Sequence, residues 1–424
     1  MNMRKTVVSV GVVLFAVGLP AAAVAQGYTF TSIVDTDDEF DGFNPPSINN
    51  AGVVAFFAFR DDGSAGVFTS DGVTTTTIVD DTGDFSFFGG GITLASFPAM
   101  GNNGEVAFFA YRDYGEQGIY KSSGGSIITI AESGTGNYEC TESNPSINDY
   151  GFVAFRACLT GIGGALLVGD GTTTTNIIDE SGEASYVTDM LALNNGGTVA
   201  FVGTLSDGRE GIFATAGGAV TTIADTTGDF AWFQGPPDIN DAGLVAFCAF
   251  LGEAYTDGIF TGDGTTITTI ADTLGPFDSF DPYSVGVNNA GQVAFVAQLD
   301  TWERGIFTGD DPNQDAVIQT GDALFGSTVS GVELMRFALN DNGQIAFVYH
   351  LEDGRTGIAV ATPDAGCPGD LDGDGDVDLA DLAKLLAHYG VTGGASYADG
   401  DLDGDGDVDL ADLAELLAVY GTTC

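Results

Sequence analysis

Twelve aspartates near the C-terminus are spaced as a hard divalent cation requires. They are Asp370, Asp372, Asp374, Asp376, Asp378 and Asp381, and, 31 residues on, Asp401, Asp403, Asp405, Asp407, Asp409 and Asp412. Both sets place oxygens at positions one, three, five, seven, nine and twelve of a calcium loop, with Gly375 and Gly406 at the sharp turn. Position seven normally gives its carbonyl and position nine often acts through water. Carboxylates so close repel one another unless a cation sits among them, so the twelve are assigned as ligands of two Ca²⁺ ions. Val377 and Val408 occupy the apolar position where paired loops are expected to meet. Each loop runs into an amphipathic segment, with Leu379, Leu382, Leu385, Leu386 and Tyr389 on one face, and Leu410, Leu413, Leu416, Leu417 and Tyr420 on its counterpart.

Other chemistry is sparse. The two histidines, His350 and His388, have no Cys or His at metal spacing and no Gly-x-Ser-x-Gly partner. No phosphate-cradling Gly-x-x-x-x-Gly-Lys run exists. Among so many aspartates no carboxylate pair for glycoside chemistry stands out, and no catalytic or cofactor-binding residue is assigned.

The rest of the chain must position whatever it binds, and it is a repeat. Ile239-Asn240-Asp241-Ala242-Gly243-Leu244-Val245-Ala246-Phe247 recurs around Gly52, Gly104, Gly151, Gly197, Gly291 and Gly343, at gaps of 46 to 52 residues. Each unit continues into a Gly-Ile-Phe run, such as Gly258-Ile259-Phe260, and a Thr/Ile-rich run, such as Thr265 to Ala271. Four short strands per unit of this length is the period of a β-propeller blade. The Val-Ala-Phe strands are apolar on both faces, as strands covered on both sides must be. The last unit lacks its Thr/Ile strand, and the chain begins with a spare one, Thr29 to Asp35. The expected fold is therefore all-β: a seven-bladed propeller over residues 27–362, closed by its N-terminal strand, then a small helical calcium-binding domain over 363–424. The Asn of each hairpin is expected to bond its own turn. Aromatic loops leading into the innermost strands offer a candidate ligand face, Phe230, Trp232, Phe233, Phe277 and Phe280, against the plainer expectation that they fill the joints between blades.

Arg4 and Lys5, an apolar run from Val7 to Leu19, and Ala23-Val24-Ala25 fit a secretory signal peptide over residues 1–25. No later run is long enough to span a membrane, so the cleaved chain is expected to be secreted or held on the outer side of the envelope, without a transmembrane anchor. A formal charge of −49 argues against nucleic acid and anionic lipid as partners. Export permits disulfides. Cys140 and Cys158 flank the turn at Gly151 almost symmetrically, Cys367 and Cys424 bracket the acidic tail, and Cys248 is left as a buried thiol.

Two loop–helix units, with Asp381 and Asp412 rather than Glu at position twelve, resemble a dockerin domain over about the last 60 residues. The resemblance implies attachment to a cohesin-like or cell-surface protein. The match departs at Leu379-Ala380 and Leu410-Ala411, where dockerins that read cohesins often carry Ser or Thr, so calcium binding carries over better than partner identity. Three functions compete: a non-catalytic recognition or display propeller attached through its tail, a secreted polysaccharide-degrading enzyme on the same scaffold, and a structural envelope component. A polysaccharide is a possible ligand under the first two.

Overall fold

The computed structural model describes residues 27–87, 97–142, 144–252, 256–364, 369–371, 376–392, 395, 400–402 and 407–422. The expected signal segment, Cys367 and Cys424, and loop residues Asp372, Asp374, Asp403 and Asp405 lie outside them. The described chain before the tail forms seven antiparallel sheets, the blades of a propeller. Blade 5 shows the plan. Phe230–Ile239 lies at the axis, followed outward by Val245–Leu251, Thr256–Gly262 and Ile267–Asp272.

The ring closes as the strand count predicts. Tyr28–Asp35 is the outermost strand of blade 7, with Tyr28 opposite Pro363 and Asp35 opposite Gly357. A strand from each end of the domain thus completes one sheet, and that edge needs no other partner.

Seven apolar clusters fill the seven joints, and their composition follows from the two-residue period of a strand. In Val245-Ala246-Phe247-Cys248-Ala249, residues 245, 247 and 249 face blade 4, while 246 and 248 face blade 6. One side carries the large ring and the other stays small, so the rings of each blade seat against the Ala and Ile groups of the blade before. Phe247 meets Ala200, Val202 and Ile212. The same pairing spans the closure, where Phe56 and Phe68 of blade 1 pack with Ala346 and Ile358 of blade 7. Burying one such ring contributes about 2–3 kcal/mol, repeated at every joint. The Gly-Ile-Phe glycine serves close approach: a Cβ on Gly211 would lie 2.3 Å from the Ala224 carbonyl oxygen across the sheet.

The hairpin Asn does more than hold its own turn. Asn240 Oδ1 accepts from the amides of Ala242 and Leu244, while its Nδ2 donates to the Asn288 carbonyl of the next blade. The inter-blade bond repeats from Asn148, Asn194, Asn288 and Asn340, the last crossing the closure to Asn49. Blade 2 has Gly101 at this position, and there Lys121 of blade 2 donates to the Gly151 carbonyl of blade 3 instead. The hairpin glycines sit at φ between 74° and 85°, where only glycine is unstrained.

Candidate functional site

Two regions gather polar groups: the propeller axis and the tail. At one mouth of the axis, the residue after each hairpin Asn, or after Gly101 in blade 2, joins a closed ring. The backbone N–H of Asn50, Asn102, Asp149, Asn195, Asp241, Asn289 and Asp341 each donates to the side-chain Oδ1 of its neighbour in the next blade, at 2.7–2.9 Å. No two carboxylates are adjacent in the ring, and only Asn50 and Asn102 place two amides side by side. Asn195 Nδ2 reaches both Asp149 and Asp241, and Asn289 Nδ2 reaches both Asp241 and Asp341. Donors thus separate charges that would otherwise repel.

The axis is not an open channel. Blade 7 departs from the repeat, placing Arg336 before Phe337-Ala338-Leu339, where blades 1, 3 and 5 carry Pro-x-Ile. This segment crosses to the other blades. The Arg336 N–H donates to the Tyr283 carbonyl of blade 6, and the Phe337 carbonyl accepts from Ile48 of blade 1. The Arg336 guanidinium donates to the carbonyls of Leu191 in blade 4 and Asn144 in blade 3. It also stacks 4.7 Å over the Phe337 ring, and that ring packs against the joints of blades 2 and 3 and of blades 4 and 5. Phe337 is held at φ 68°, a left-handed conformation unusual for a ring-bearing residue.

Beneath this bolt Asp238 is buried, accepting from the Ile239 and Val287 amides. Burial raises its pKa to about 6 against the pull of those amides and Arg336. Burial also lowers Arg336 to about 10, partly offset by Asp238 and Asp189.

The bolt floors a chamber of about 660 Å³ on the other side, and all seven blades contribute to its wall: Asn44 and Pro45, Phe97, Asn144, Asp189 and Met190, Pro236, Asp281 and Tyr283, and the Val332–Arg336 stretch. Two polar contacts mark its wall. Arg304 donates to Asp281 at 2.6 Å. His350 Nε2 lies 3.0 Å from Glu333 while its Nδ1 lies 3.0 Å from the Thr356 hydroxyl. Neither His350 nor Arg336 is among the candidate site residues legible in the sequence. The available signal was an arginine where the other blades carry Pro45, Phe97, Asn144, Met190, Pro236 and Ser284, in a chain with only 11 Lys and Arg.

The aromatic face expected from sequence does not form. Phe277, Phe280 and Phe233 are buried. Phe230 packs edge-on to Phe260 at 5.1 Å and Phe277 to Phe307 at 5.1 Å. These rings belong to strands rather than loops, and they fill the joints. Trp232 alone is exposed, stacked 4.3 Å from Phe250 on a blade flank.

Cys140 and Cys158 are opposite in register on neighbouring strands and form a disulfide, and Cys248 is a buried free thiol.

In the tail, carboxylate oxygens of Asp376, Asp378 and Asp381 lie within 4.8 Å of one another, and Asp407, Asp409 and Asp412 repeat the arrangement. Asp381 is fully buried. Its two oxygens accept from the amides of Leu371 and Asp378, and Asp412 does the same with Leu402 and Asp409. Each cluster is anchored by a short helix, Leu379–His388 or Leu410–Val419, capped by Asp378 or Asp409. Val377 and Val408 are both buried in the tail core, yet their backbones do not pair with each other. Val377 pairs with Gly421 and Thr422 after the second helix, and Val408 with Gly390 and Val391 after the first. This crosswise tie differs from the expected loop-to-loop meeting. The apolar stripes split as well. Leu382, Leu385, Leu413 and Leu416 turn to the core, while Leu379, Leu386, Tyr389, Leu410, Leu417 and Tyr420 are exposed.

A repeated, ring-closed propeller with two duplicated acidic loop–helix units defines the class of the molecule. By its sequence the chain belongs to the family of unknown function DUF7453, whose model matches residues 5–184, 147–279 and 277–364. No curated protein matches it. Among solved structures it is similar to an oligogalacturonate lyase from Vibrio parahaemolyticus, at 12% identity and TM-score 0.48 over 81% of this chain and 99% of that one. It is also similar to a puromycin-hydrolyzing peptidase from Mycobacterium tuberculosis, at 13% identity and TM-score 0.49 over 81% of this chain and 55% of that one.

Proposed function

We propose that this is an exported, calcium-binding recognition protein: the propeller binds or displays, and the tail fastens it to a cohesin-like or cell-surface partner. The observation that carries the reading is the duplicated carboxylate cluster, Asp376, Asp378 and Asp381 with Asp407, Asp409 and Asp412. The donor set is all oxygen and all anionic, which suits Ca²⁺ and excludes a thiolate or imidazole metal. Asp370, Asp372, Asp374, Asp401, Asp403 and Asp405 would complete the two sets. Calcium would neutralise the clustered charge; the chain supplies the buried anchors Asp381 and Asp412. The exposed Leu379, Leu386, Leu410 and Leu417 of the two helices, with Tyr389 and Tyr420 at their C-caps, support attachment, because large apolar groups left at a surface are available for contact.

Calcium binding to the chelator-stripped chain tests this. Two ions per chain are expected, and Asp381→Asn or Asp412→Asn should each remove one. No uptake at about 1 mM calcium, the weak end for such loops, would overturn it. An enzymatic reading is favoured only by the acids, His350 and Tyr283 in the chamber wall, and release of shorter sugars from a polysaccharide would be its evidence.

A further inference from the structure

We propose that the axial chamber binds the end of a neutral oligosaccharide. The inference rests on the propeller being the recognition module and names its ligand class. Its first ground is shape. The chamber volume lies in the range of small-molecule sites, and the Arg336–Phe337 bolt closes its floor, so a polymer cannot thread through and must present an end.

The second ground is charge. Arg304 donates to Asp281, His350 Nε2 lies 3.0 Å from Glu333, and Asp189 and Arg336 also line the wall, so it offers donors and acceptors together rather than a cluster of one kind. Sugar hydroxyls both donate and accept, and a guanidinium with five N–H groups retains donors beyond the one given to Asp281. Tyr283, half-exposed, and Met190 provide the apolar surface that the C–H face of a sugar ring needs.

The third ground is Asn144. It is held at φ 77°, its Nδ2 donates to Asp189, and its Oδ1 is buried without a hydrogen-bond partner among the described residues. An unmet acceptor in a residue of the cavity wall suits a ligand hydroxyl once the side chain turns it toward the chamber.

Calorimetric titration of the full chain in calcium buffer with neutral cello-, xylo-, manno- and malto-oligosaccharides, from disaccharide to hexasaccharide, tests the proposal. At least one series should bind, with affinity levelling off once the chain outgrows the chamber. Tyr283→Ala and Arg304→Gln should each weaken binding roughly tenfold, about 1.4 kcal/mol, Tyr283→Phe should retain it, and Trp232→Ala should leave it unchanged. Thermal melts of the variants separate lost binding from lost folding. No binding in any series, affinity that climbs steadily with length, equal loss in Trp232→Ala, or tighter binding of a charged tetrapeptide would each overturn the proposal. Two calcium ions bound alongside no sugar response would sink the chamber ligand and leave the tail reading standing.

Discussion

The propeller and the tail use the same residue to opposite ends. On the propeller, an aspartate at a hairpin tip is satisfied locally: Asp263 accepts from the amides of Thr265 and Thr266 and from the Thr265 hydroxyl, and Asp71 and Asp170 do likewise. On the axial mouth, Asn amides stand between the Asp carboxylates. In the tail, three carboxylates are turned toward one another within 4.8 Å. Where the backbone or an amide supplies donors, an acidic chain folds without help. Where acids face acids, the proposed calcium would supply the missing positive charge. The two halves should therefore fail under different conditions, and the largest difference comes from chelation. Stripping calcium from the full chain should unfold the tail and leave the propeller melting transition in place; protease cleavage confined to residues after Pro363 would show it. A propeller transition that moves with calcium would break the contrast.

Next in size is a joint. Phe247 is fully buried among Phe230, Phe233 and Phe260 and the small groups of blade 4. Phe247→Ala should cost about 3–5 kcal/mol, read by denaturant unfolding, equally with and without calcium. Replacing the Cys140–Cys158 pair with serines opens a loop with a sequence separation of 18 and should cost about 3 kcal/mol, again in the propeller alone. Asn240→Ala removes the acceptor of two backbone amides and the bond to blade 6, a loss of roughly 1–3 kcal/mol, and the adjacent joint should show it as faster amide exchange.

These expectations also mark what the sequence made legible. The blade count, the closing strand and the Cys140–Cys158 pair could be read because each repeats or pairs at a fixed spacing. The aromatic strands could not. Phe277 and Phe280 are three apart, as are Phe230 and Phe233, a spacing that reads as loop in a two-residue period. A bulge between Phe277 and Ser279, matched between Phe230 and Trp232, carries both rings to one side of the strand. The bolt was missed for the converse reason. Pattern matching looks for what recurs, and Arg336 matters because it breaks the recurrence. In the tail the stripe of five apolar residues was visible, but which of them are buried depends on the crosswise ties of Val377 and Val408, which link segments far apart in the chain.

The smallest effect sharpens the comparison most finely, because it concerns one exposed carboxylate. The Thr265 hydroxyl and the amides of Thr266 and Thr265 hold the Asp263 pKa at about 2, below the ordinary 3.8. The folded state thus gives up this proton more readily than the unfolded chain. Its stabilisation is fully present above about pH 4 and is lost as pH falls toward 2. Asp263→Ala should lower the melting temperature slightly at neutral pH, and the gap from the parent should close between those limits, unaltered by calcium. Asp412→Asn should show the reverse signature: an effect on the tail that is large in calcium and vanishes in chelator, where the parent tail is already unfolded. A calcium-dependent gap for Asp263, or a calcium-independent one for Asp412, would erase the distinction between an aspartate held by its own backbone and one held by an ion.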